Sequence, residues 1–394
     1  MAGRGTEGWT QESGRAEDRK TGRVDERETN GVGRFEGKLM TGITPREQLD
    51  RLWRRGREFL GCELAIMGGA MSWVSEHHLV AAISEGGGFG VLACGSMTPE
   101  LLSQEISATT AMTRRPFGVN LISMHPSLDR LIEVCIHHKV GHVVLAGGIP
   151  PSAVIKGLKA GNIRVLGFAP ALAIARKLVR MGADALIIEG NEAGGHIGPV
   201  ATSVLAQEIL PHIREVPVFV AGGIGRGEAI ISCLDAGAAG VQIGTRLVCA
   251  TESIAHPNFK QAFIKAAARD AVASIQLDPR FPVTPVRALA NGGTKRFQET
   301  QRKVIDRFHA GELTQKEAQL EIEHYWAGAL RRAVIDGDVE SGSLMAGQSV
   351  GMVTREQPTR QILTELVSQA VTALEQRRRL WRDGASQVVL EVAD

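Results

Sequence analysis

The sequence predicts an α/β fold in which eight parallel strands close into a (β/α)8 TIM barrel, with a smaller, mostly helical C-terminal cap domain. Short apolar runs alternate with longer amphipathic segments between residues 63 and 245, and Gly or Pro marks each change. The apolar runs number about eight, as a closed parallel barrel requires. A doubly wound open sheet would show the same alternation, but it needs a GxGxxG motif after its first strand, and none opens a helix there.

The apolar runs give the predicted strands in chain order. They are ELAIM near residue 63, FGVLA near 89, FGVNL near 117, HVVLA near 142, IRVLGF near 163, ALIIE near 185, PVFVA near 217 and GVQIG near 240. Because the runs are almost continuously apolar, each strand should be buried on both faces, as in a parallel sheet covered by helices. The segments between them have helical spacing and end in Gly or charged residues.

Composition also predicts the domain boundaries. Residues 1–40 are rich in Gly and charged residues, so we expect a disordered tail, and Met40 is a candidate alternative start. A helix that begins at Pro45 should cover the bottom of the barrel. The barrel should span residues 41–255, a helical cap residues 256–340, and a segment that returns to the barrel residues 341–394, with a helix near 358–378.

Charge and cysteine usage narrow the class of function. The 394 residues carry a formal net charge of +2 with dispersed basic residues, which excludes a typical nucleic-acid-binding protein and favours a small-molecule substrate. The five cysteines form no CxxC pair, so we expect a reduced cytoplasmic protein without a disulfide framework or a metal site. Because no apolar run reaches the roughly 18 residues of a membrane span, no membrane association is expected. A homodimer is the expected assembly, since it is the commonest oligomer of soluble proteins.

Glycines follow the last two predicted strands, where barrels of this type commonly bind phosphate. Gly222 and Gly223 follow PVFVA, and Gly244 and Thr245 follow GVQIG. Glycine lets backbone N–H groups approach phosphate oxygens, Thr245 offers a hydroxyl, and a helix that begins near Gly225 adds a favourable dipole. Either pair alone would equally well end a strand, but their joint placement predicts a phosphate site.

The segment EGNEAGGHIG follows the sixth predicted strand and contains a histidine between glycines. Gly194 and Gly195 precede His196, and Gly198 follows it closely, so the imidazole should be accessible on a flexible loop at the catalytic face. Most isolated histidines are structural or solvated surface residues. At this position, however, a group that titrates near neutrality can act as an acid or a base, and we assign it a catalytic role.

Three polar residues lie at or near strand ends. The amides of Asn120, at the end of the third strand, and Gln242, inside the eighth, can bind a ligand at the barrel mouth. The alternatives are that Asn120 caps the following turn and that Gln242 is satisfied by its neighbours. Glu189, directly after ALII, is a poor core residue unless it is paired or faces a ligand.

These motifs together resemble the FMN-dependent nitronate monooxygenase family, formerly 2-nitropropane dioxygenase, which also includes the flavin-dependent enoyl-ACP reductases. The resemblance runs from about residue 61 to 375. Its most specific motifs are AGGHxG and GVQxGT. The other segments that carry it are AIMGGAMSWVS, GGGFGVLA, RPFGVN, VFVAGGIGRGEA, ESIAHPNF and SLMAGQSVG.

The resemblance implies a site for FMN and a catalytic role for His196. It implies that the phosphate binds at Gly222, Gly223, Gly244 and Thr245. The other cofactor-binding residues that it implies are Gly68, Gly69, Ala70, Met71, Asn120, Glu189, Gly194, Gly195, Gln242, Met345, Gly347 and Gln348. Members usually have Gln where Gly68 stands, so a contact to the flavin ring must come from backbone or from another group.

Two activities remain open from the resemblance. A nitronate monooxygenase passes electrons from an alkyl nitronate through FMN to O2 and forms a carbonyl compound and nitrite. An enoyl-ACP reductase uses NAD(P)H to reduce FMN, which gives hydride to an enoyl thioester on acyl carrier protein. VRALANGGTKRF looks more like the reductases, but nitronate oxidation needs fewer binding sites, and the sequence favours it by a small margin. A non-catalytic phosphate-binding barrel is a third reading, which would not need His196.

Overall fold

Eight parallel strands form a nearly closed barrel, as the sequence predicts. The computed structural model describes residues 42–278 and 284–391, and the predicted tail lies outside these ranges. Each apolar run identified above overlaps one strand. In chain order the barrel strands are β1 (Ile66–Gly68), β2 (Gly90–Ala93), β3 (Phe117–Ile122), β4 (His142–Ala146), β5 (Arg164–Phe168), β6 (Ala185–Glu189), β8 (Val218–Ala221) and β9 (Gly240–Ile243). The short strand β7 (Gly195–His196) lies outside the barrel.

The strands follow one another around the barrel in chain order. β1 pairs with β9, and a parallel bridge between Met67 and Phe89 brings β1 against the start of β2. The Phe89 N–H donates to Ile66 O at 2.9 Å, and the Gly68 N–H donates to Phe89 O at 2.8 Å. These two bonds join the edges of the sheet, so the carboxyl ends of all eight strands surround one mouth.

Both faces of the strands are buried, which explains their continuous apolar character. Ile66 and Val241 are neighbours in register and pack outward against the helices. The barrel interior is filled by side chains from alternate strand positions: Met67, Phe89, Val91, Val144, Leu166, Ala185, Ile187, Phe219 and Ala221.

Helices cover the barrel from outside and below. The first helix begins at Pro45, as predicted. The second helix lies against the start of β9 at the bottom of the barrel, because a Cβ at Gly56 would lie only 2.1 Å from Ala239 O. The helices up to the end of the barrel are α1 (Pro45–Leu52), α2 (Arg54–Leu60), α3 (His77–Glu85), α4 (Pro99–Met112), α5 (Leu128–His137), α6 (Ser152–Ala160), α7 (Leu172–Met181), α8 (Thr202–Ile209), α9 (Gly227–Asp235) and α10 (Thr245–Val248).

The region after the barrel contains a small sheet that the sequence analysis did not predict. β10 (Ala271–Ala273) and β11 (Val286–Leu289) pair in antiparallel fashion, and β11 also pairs with β7 (Gly195–His196). Apart from this sheet the segment is mostly helical, as the sequence predicts. The helices here are α11 (Pro257–Lys265), α12 (Gly292–His309) and α13 (Gln315–Val334), with short 3-10 turns at Ala268–Asp270 and Gln348–Met352.

The chain returns to the barrel through α14 (Thr359–Glu391), which is longer than predicted. A Cβ at Gly227 would lie 2.2 Å from Leu366 O, so the start of α9 lies directly against α14. The Gly227 N–H donates to Gln369 Oε1 at 2.9 Å. Among the helices in the described ranges, none is long and apolar enough to cross a membrane.

Candidate active site at the mouth of the barrel

The turn after β1 lies against the end of β9. The Gly69 N–H donates to Ile243 O at 2.7 Å, and a Cβ at Gly69 would lie 3.3 Å from Gly244 Cα. Ser75 fixes this turn, because its hydroxyl donates to Gly69 O at 2.8 Å and accepts from the Met71 N–H at 3.0 Å. The predicted turn from residue 68 to 71 is thus held beside Gly244.

Gly68 has little space for a side chain. A Cβ there would lie 2.7 Å from Ile83 Cδ1 and 3.7 Å from Leu247 Cδ1. Ile83 therefore lies where a side chain at position 68 would begin. Any polar contact at this corner of the mouth must come from another residue.

Glu189 and Gln242 flank Ala221 at one level of the barrel. Ala221 is the register partner of Glu189 on one side and of Gln242 on the other. Gln242 is 7% exposed, and neither side chain forms a hydrogen bond with any residue in the described part of the chain. Both polar groups face the barrel interior, where an unpaired polar group is costly unless a ligand or water satisfies it.

Desolvation changes the charge state of Glu189. It is half-buried at the end of β6, and burial raises its carboxyl pKa from 4.5 to about 8. At neutral pH the carboxyl group is therefore mostly protonated, so it can donate a hydrogen bond as well as accept one.

Asn120 is the fourth residue of the six-residue strand β3, slightly inside the mouth. It is 5% exposed, and its Nδ2 donates to Val144 O on the neighbouring strand at 3.0 Å. The predicted alternative, a cap on the following turn, does not match this contact. Its Oδ1 accepts no hydrogen bond from the residues that the structure describes and can accept one from a ligand.

Gly222 and Gly223 follow β8 with positive φ angles of 97° and 72°, which only glycine adopts readily. Within the described ranges, their backbone N–H groups have no acceptor. Two neighbouring free N–H groups in this conformation form a concave site that suits an anion. The phosphate site at these glycines stays a prediction, and α9 begins at Gly227, two residues later than expected.

Glu192 and Thr202 support this corner, and the sequence analysis did not identify them. Glu192 Oε2 accepts from the Thr202 N–H at 2.9 Å and from its hydroxyl at 2.8 Å. A Cβ at Gly190 would lie 1.9 Å from Thr202 Oγ1, so the loop after β6 fits closely over the start of α8. The sequence signal for this role is Glu192 itself, four positions before His196, because an acidic side chain stabilises the N-terminus of a helix that follows it.

The segment from Met345 to Gln348 closes over the same corner. The Gly347 N–H donates to Thr245 Oγ1 at 2.9 Å, and the Gln348 N–H donates to Glu192 O at 2.9 Å. A Cβ at Gly194 would lie 2.5 Å from Gly347 N, so two glycines permit this backbone contact. Thr245 accepts one hydrogen bond here and keeps its hydroxyl proton for a second partner.

His196 lies in a strand and not in the free loop that the sequence predicted. It is the register partner of Val286, and the Ile197 N–H donates to Pro285 O at 2.9 Å. Pairing with β11 removes the freedom that the flanking glycines would allow. The imidazole stays accessible, with a side chain that is 43% exposed and an Nε2 that lies 3.0 Å from Glu323 Oε2 on α13.

Arg287 joins the cap sheet to the loop after β6. It is 9% exposed, its Nε donates to Asn191 O at 2.8 Å, and its Nη1 donates to Ala271 O at 2.6 Å. A buried guanidinium that binds two carbonyl groups fixes β11 against the loop that carries His196. The charged residue inside the apolar run VRAL was the signal for this role.

Comparison with known proteins identifies the family. The model of the nitronate monooxygenase family matches residues 55–131 and 122–369. The chain belongs to this family. The family relationship makes the protein an enzyme, and specifically an oxidoreductase.

The proteins that this chain is similar to carry several activity names. A (3aS,4S,5R,7aS)-5-hydroxy-7a-methyl-1-oxo-octahydro-1H-indene-4-carboxyl-CoA dehydrogenase from Mycobacterium tuberculosis (strain ATCC 25618 / H37Rv) is 30% identical over 346 aligned positions, and the match covers 81% of this chain and 96% of the relative. FabK from Thermotoga maritima is 36% identical with a TM-score of 0.74, covering 83% of this chain and 98% of FabK. A nitroalkane oxidase from Streptomyces ansochromogenes is 27% identical with a TM-score of 0.67, covering 82% and 99%.

The mouth thus brings together most residues that the family resemblance implied. The turn from residue 68 to 71, Gly244, Thr245 and the segment from 345 to 348 are in contact or are joined by hydrogen bonds. Glu189 and Gln242 lie at one level of the strands beside them. The roles of these residues in binding and catalysis stay predictions.

Proposed function

We propose that this protein is an FMN-dependent oxidoreductase that reduces an enoyl thioester with NAD(P)H. The observation that carries the cofactor assignment is the set of unsatisfied polar groups at one mouth. They are the free N–H groups of Gly222 and Gly223 and the unpaired side chains of Glu189 and Gln242. A ligand with a phosphate and a polar ring would satisfy the backbone N–H groups with its phosphate and the two side chains with its ring.

The phosphate would lie in the corner formed by the loops after β8 and β9. The Gly222 and Gly223 N–H groups would donate to its oxygens, and the Thr245 hydroxyl would add a third donor while it holds Gly347. The neighbouring Glu192 carboxylate is occupied by two donors from Thr202, which limits its repulsion of the phosphate.

The flavin ring would lie across the strand ends. Gln242 can donate and accept at the ring edge, Asn120 Oδ1 can accept from a ring N–H, and a protonated Glu189 can donate without adding a negative charge. The Met345–Gln348 segment would exclude water from one side. Bound FMN supplies hydride transfer between a nicotinamide and a carbon acceptor, while the protein orients the reactants.

His196 would act on the substrate side. Its imidazole can donate a hydrogen bond to the thioester carbonyl, where negative charge develops when hydride arrives at the β-carbon. Glu323 would hold the ring through the 3.0 Å contact at Nε2. Since that contact is half exposed, a substrate can replace it.

The comparisons support the thioester as substrate. FabK, a flavin enoyl-ACP reductase, is 36% identical over 98% of its length. The Mycobacterium tuberculosis relative carries a carboxyl-CoA group in its substrate name, and a carboxyl-CoA is also a thioester. Coenzyme A and acyl carrier protein present the same phosphopantetheine thioester, so either carrier is consistent with this proposal.

Nitronate oxidation is the second candidate. The family description and the nitroalkane oxidase from Streptomyces ansochromogenes favour it. The same mouth would serve, since a nitronate needs the flavin and His196 but no site for a nicotinamide. The narrow preference for this activity in the sequence analysis stays an untested prediction.

Anaerobic mixing with reduced nicotinamide separates the candidates. We expect NADPH or NADH to bleach the visible flavin absorbance, and crotonyl-CoA or crotonyl-acyl carrier protein to restore it without oxygen. The His196→Ala variant should bind flavin but turn over slowly, whereas the exposed control His212→Ala should behave like the unmodified protein. Flavin that is not reduced by nicotinamide but turns over propionate 3-nitronate with oxygen would overturn the thioester assignment in favour of the second candidate.

A further inference from the structure

Two histidines and two glutamates meet between the start of α3 and the side of α4. Glu76 caps α3, where its carboxylate accepts from the His78 N–H at 3.1 Å and from the Leu79 N–H at 3.3 Å. His77 and His78 are the first two residues of that helix, and Glu105 reaches them from α4. The proposed flavin reaction does not use these four residues.

The ring nitrogens and carboxylate oxygens of this cluster converge. Glu76 Oε2 lies 3.0 Å from His77 Nδ1 and 2.9 Å from His78 Nδ1. Glu105 Oε2 lies 2.9 Å from His77 Nδ1. One ligand atom from each of Glu76, His77 and His78 lies within 4.8 Å of the others, which is a spacing that one ion can span.

Helix capping alone does not explain why two imidazoles also lie against these carboxylates. His77 Nδ1 faces the carboxylates of both Glu76 and Glu105, but a neutral imidazole carries at most one proton on that atom. The glutamate side chains are only 10% and 14% exposed, so two negative charges are held close together with little solvent. Glu105 Oε2 also accepts from the His77 backbone N–H at 2.9 Å, so both carboxylates cap the first turn of α3, but capping needs neither imidazole.

We propose that Glu76, His77, His78 and Glu105 bind a divalent transition-metal ion, with Zn2+ as the expected occupant. Imidazole nitrogens with carboxylate oxygens are a ligand set that Zn2+ prefers, whereas Ca2+ and Mg2+ prefer oxygen alone. Ligand atoms around tetrahedral Zn2+ lie about 3.3 Å apart, so the pairs observed at 2.9–3.0 Å would separate slightly, and Glu105, which is not part of the 4.8 Å group of the other three residues, would move toward His78. The ion would neutralise both carboxylates.

The site is accessible and has a structural consequence. The His78 side chain is 51% exposed and borders a surface cavity of about 390 Å3, so an ion can enter from solvent. The ion would tie the first turn of α3 to α4. Because Ser75, which precedes Glu76, fixes the turn at Gly69, metal binding would stiffen the loop after β1. The expectation of no metal site rests on the cysteine pattern alone, does not consider the adjacent Glu76, His77 and His78, and stays untested.

Zinc titration of the untagged, chelator-treated full chain against a competing chromophoric chelator tests this site. We expect one Zn2+ per chain and a higher melting temperature with zinc. His78→Asn keeps a hydrogen-bond donor near the Nδ1 position but removes the imidazole, and Glu105→Gln removes the second carboxylate. Each should weaken zinc binding at least about tenfold, whereas the controls His212→Asn and Glu100→Gln should not.

Equal zinc affinity in the cluster variants and the controls, or no saturable binding by the unmodified protein, would overturn the proposal. X-ray absorption at the zinc edge of the unmodified protein gives a test that does not depend on variant folding. Nitrogen and oxygen ligands with imidazole scattering are expected. Sulfur scattering would place the ion at a cysteine and would also overturn the proposal.

Discussion

His196 Nε2 lies 3.0 Å from Glu323 Oε2, and this contact joins the loop after the sixth barrel strand to helix α13 of the cap. The two residues are 127 positions apart in the chain. The cap sheet makes the contact possible, because β11 pairs with the strand that carries His196. The candidate catalytic residue is thus positioned by elements from both regions.

Replacing His196 by Ala should reduce turnover while flavin stays bound. A positioned acid or base typically contributes about 10²–10⁴-fold, so we expect a loss of at least about 100-fold in kcat. Flavin content and steady-state rates of the purified variant measure both effects. Turnover within a few-fold of the unmodified protein would contradict the assigned role.

Glu323→Gln should have a much smaller effect. The His196 and Glu323 side chains are 43% and 41% exposed, and an exposed pair contributes at most about 1 kcal/mol, which is roughly fivefold in rate. Glu321→Gln on the same helix is the matched control, since Glu321 pairs with Arg307. A loss above about 100-fold in Glu323→Gln would indicate a direct chemical role for that carboxylate.

Glu189→Gln should change how stability depends on pH. Burial raises the Glu189 pKa from 4.5 to about 8, so folding takes up a proton between these pH values. The stability that Glu189 contributes is therefore complete below its unfolded pKa and is lost as pH rises through its folded pKa. Urea unfolding of the flavin-free protein should show that its free energy of unfolding falls more steeply between about pH 5 and about pH 8 than that of Glu189→Gln. Identical slopes would contradict the raised pKa.

Gly222→Ala should weaken flavin binding more than Gly148→Ala. Both glycines have positive φ, 97° and 104°, so both variants carry backbone strain of about 1 kcal/mol. A Cβ at Gly148 meets nothing within 4 Å, whereas one at Gly222 would lie 2.8 Å from Thr202 Oγ1 and 3.0 Å from Gly190 N. Flavin retained after gel filtration measures the difference, and equal retention by both variants would contradict the phosphate site.

The native thiols should react slowly. Burial raises the pKa of Cys62, Cys94, Cys135 and Cys249 to about 12 and that of Cys233 to about 11. Because the thiolate is the reactive form, Ellman's reagent at mildly alkaline pH should label the folded chain much more slowly than the chain in guanidinium. Rapid labelling of any thiol in the folded protein would contradict this prediction.

The barrel was predictable because its determinants are local. Each strand is a short apolar run between turn residues, and the end of each strand fixes which residues reach the mouth. Gln242, Glu189 and Thr245 could therefore be placed near one another from their positions in the runs alone. In a parallel barrel, residues at the carboxyl ends of neighbouring strands must all lie at the same mouth.

The cap contacts were not predictable, because they depend on pairing between distant segments. VRAL is a four-residue run in a helical region, and its strand state depends on His196 and Gly195 lying beside it. For the same reason, the sequence placed His196 in a flexible loop. Long-range pairing also determines the Arg287 contacts to Asn191 and Ala271.

Release of the cofactor from the unmodified protein tests the central claim most directly. Denaturing the chain purified from cells and separating the supernatant by chromatography should yield one FMN per chain, and Gly222→Ala should yield less. A colourless protein that takes up no yellow absorbance when FMN is added would contradict the account of the barrel mouth.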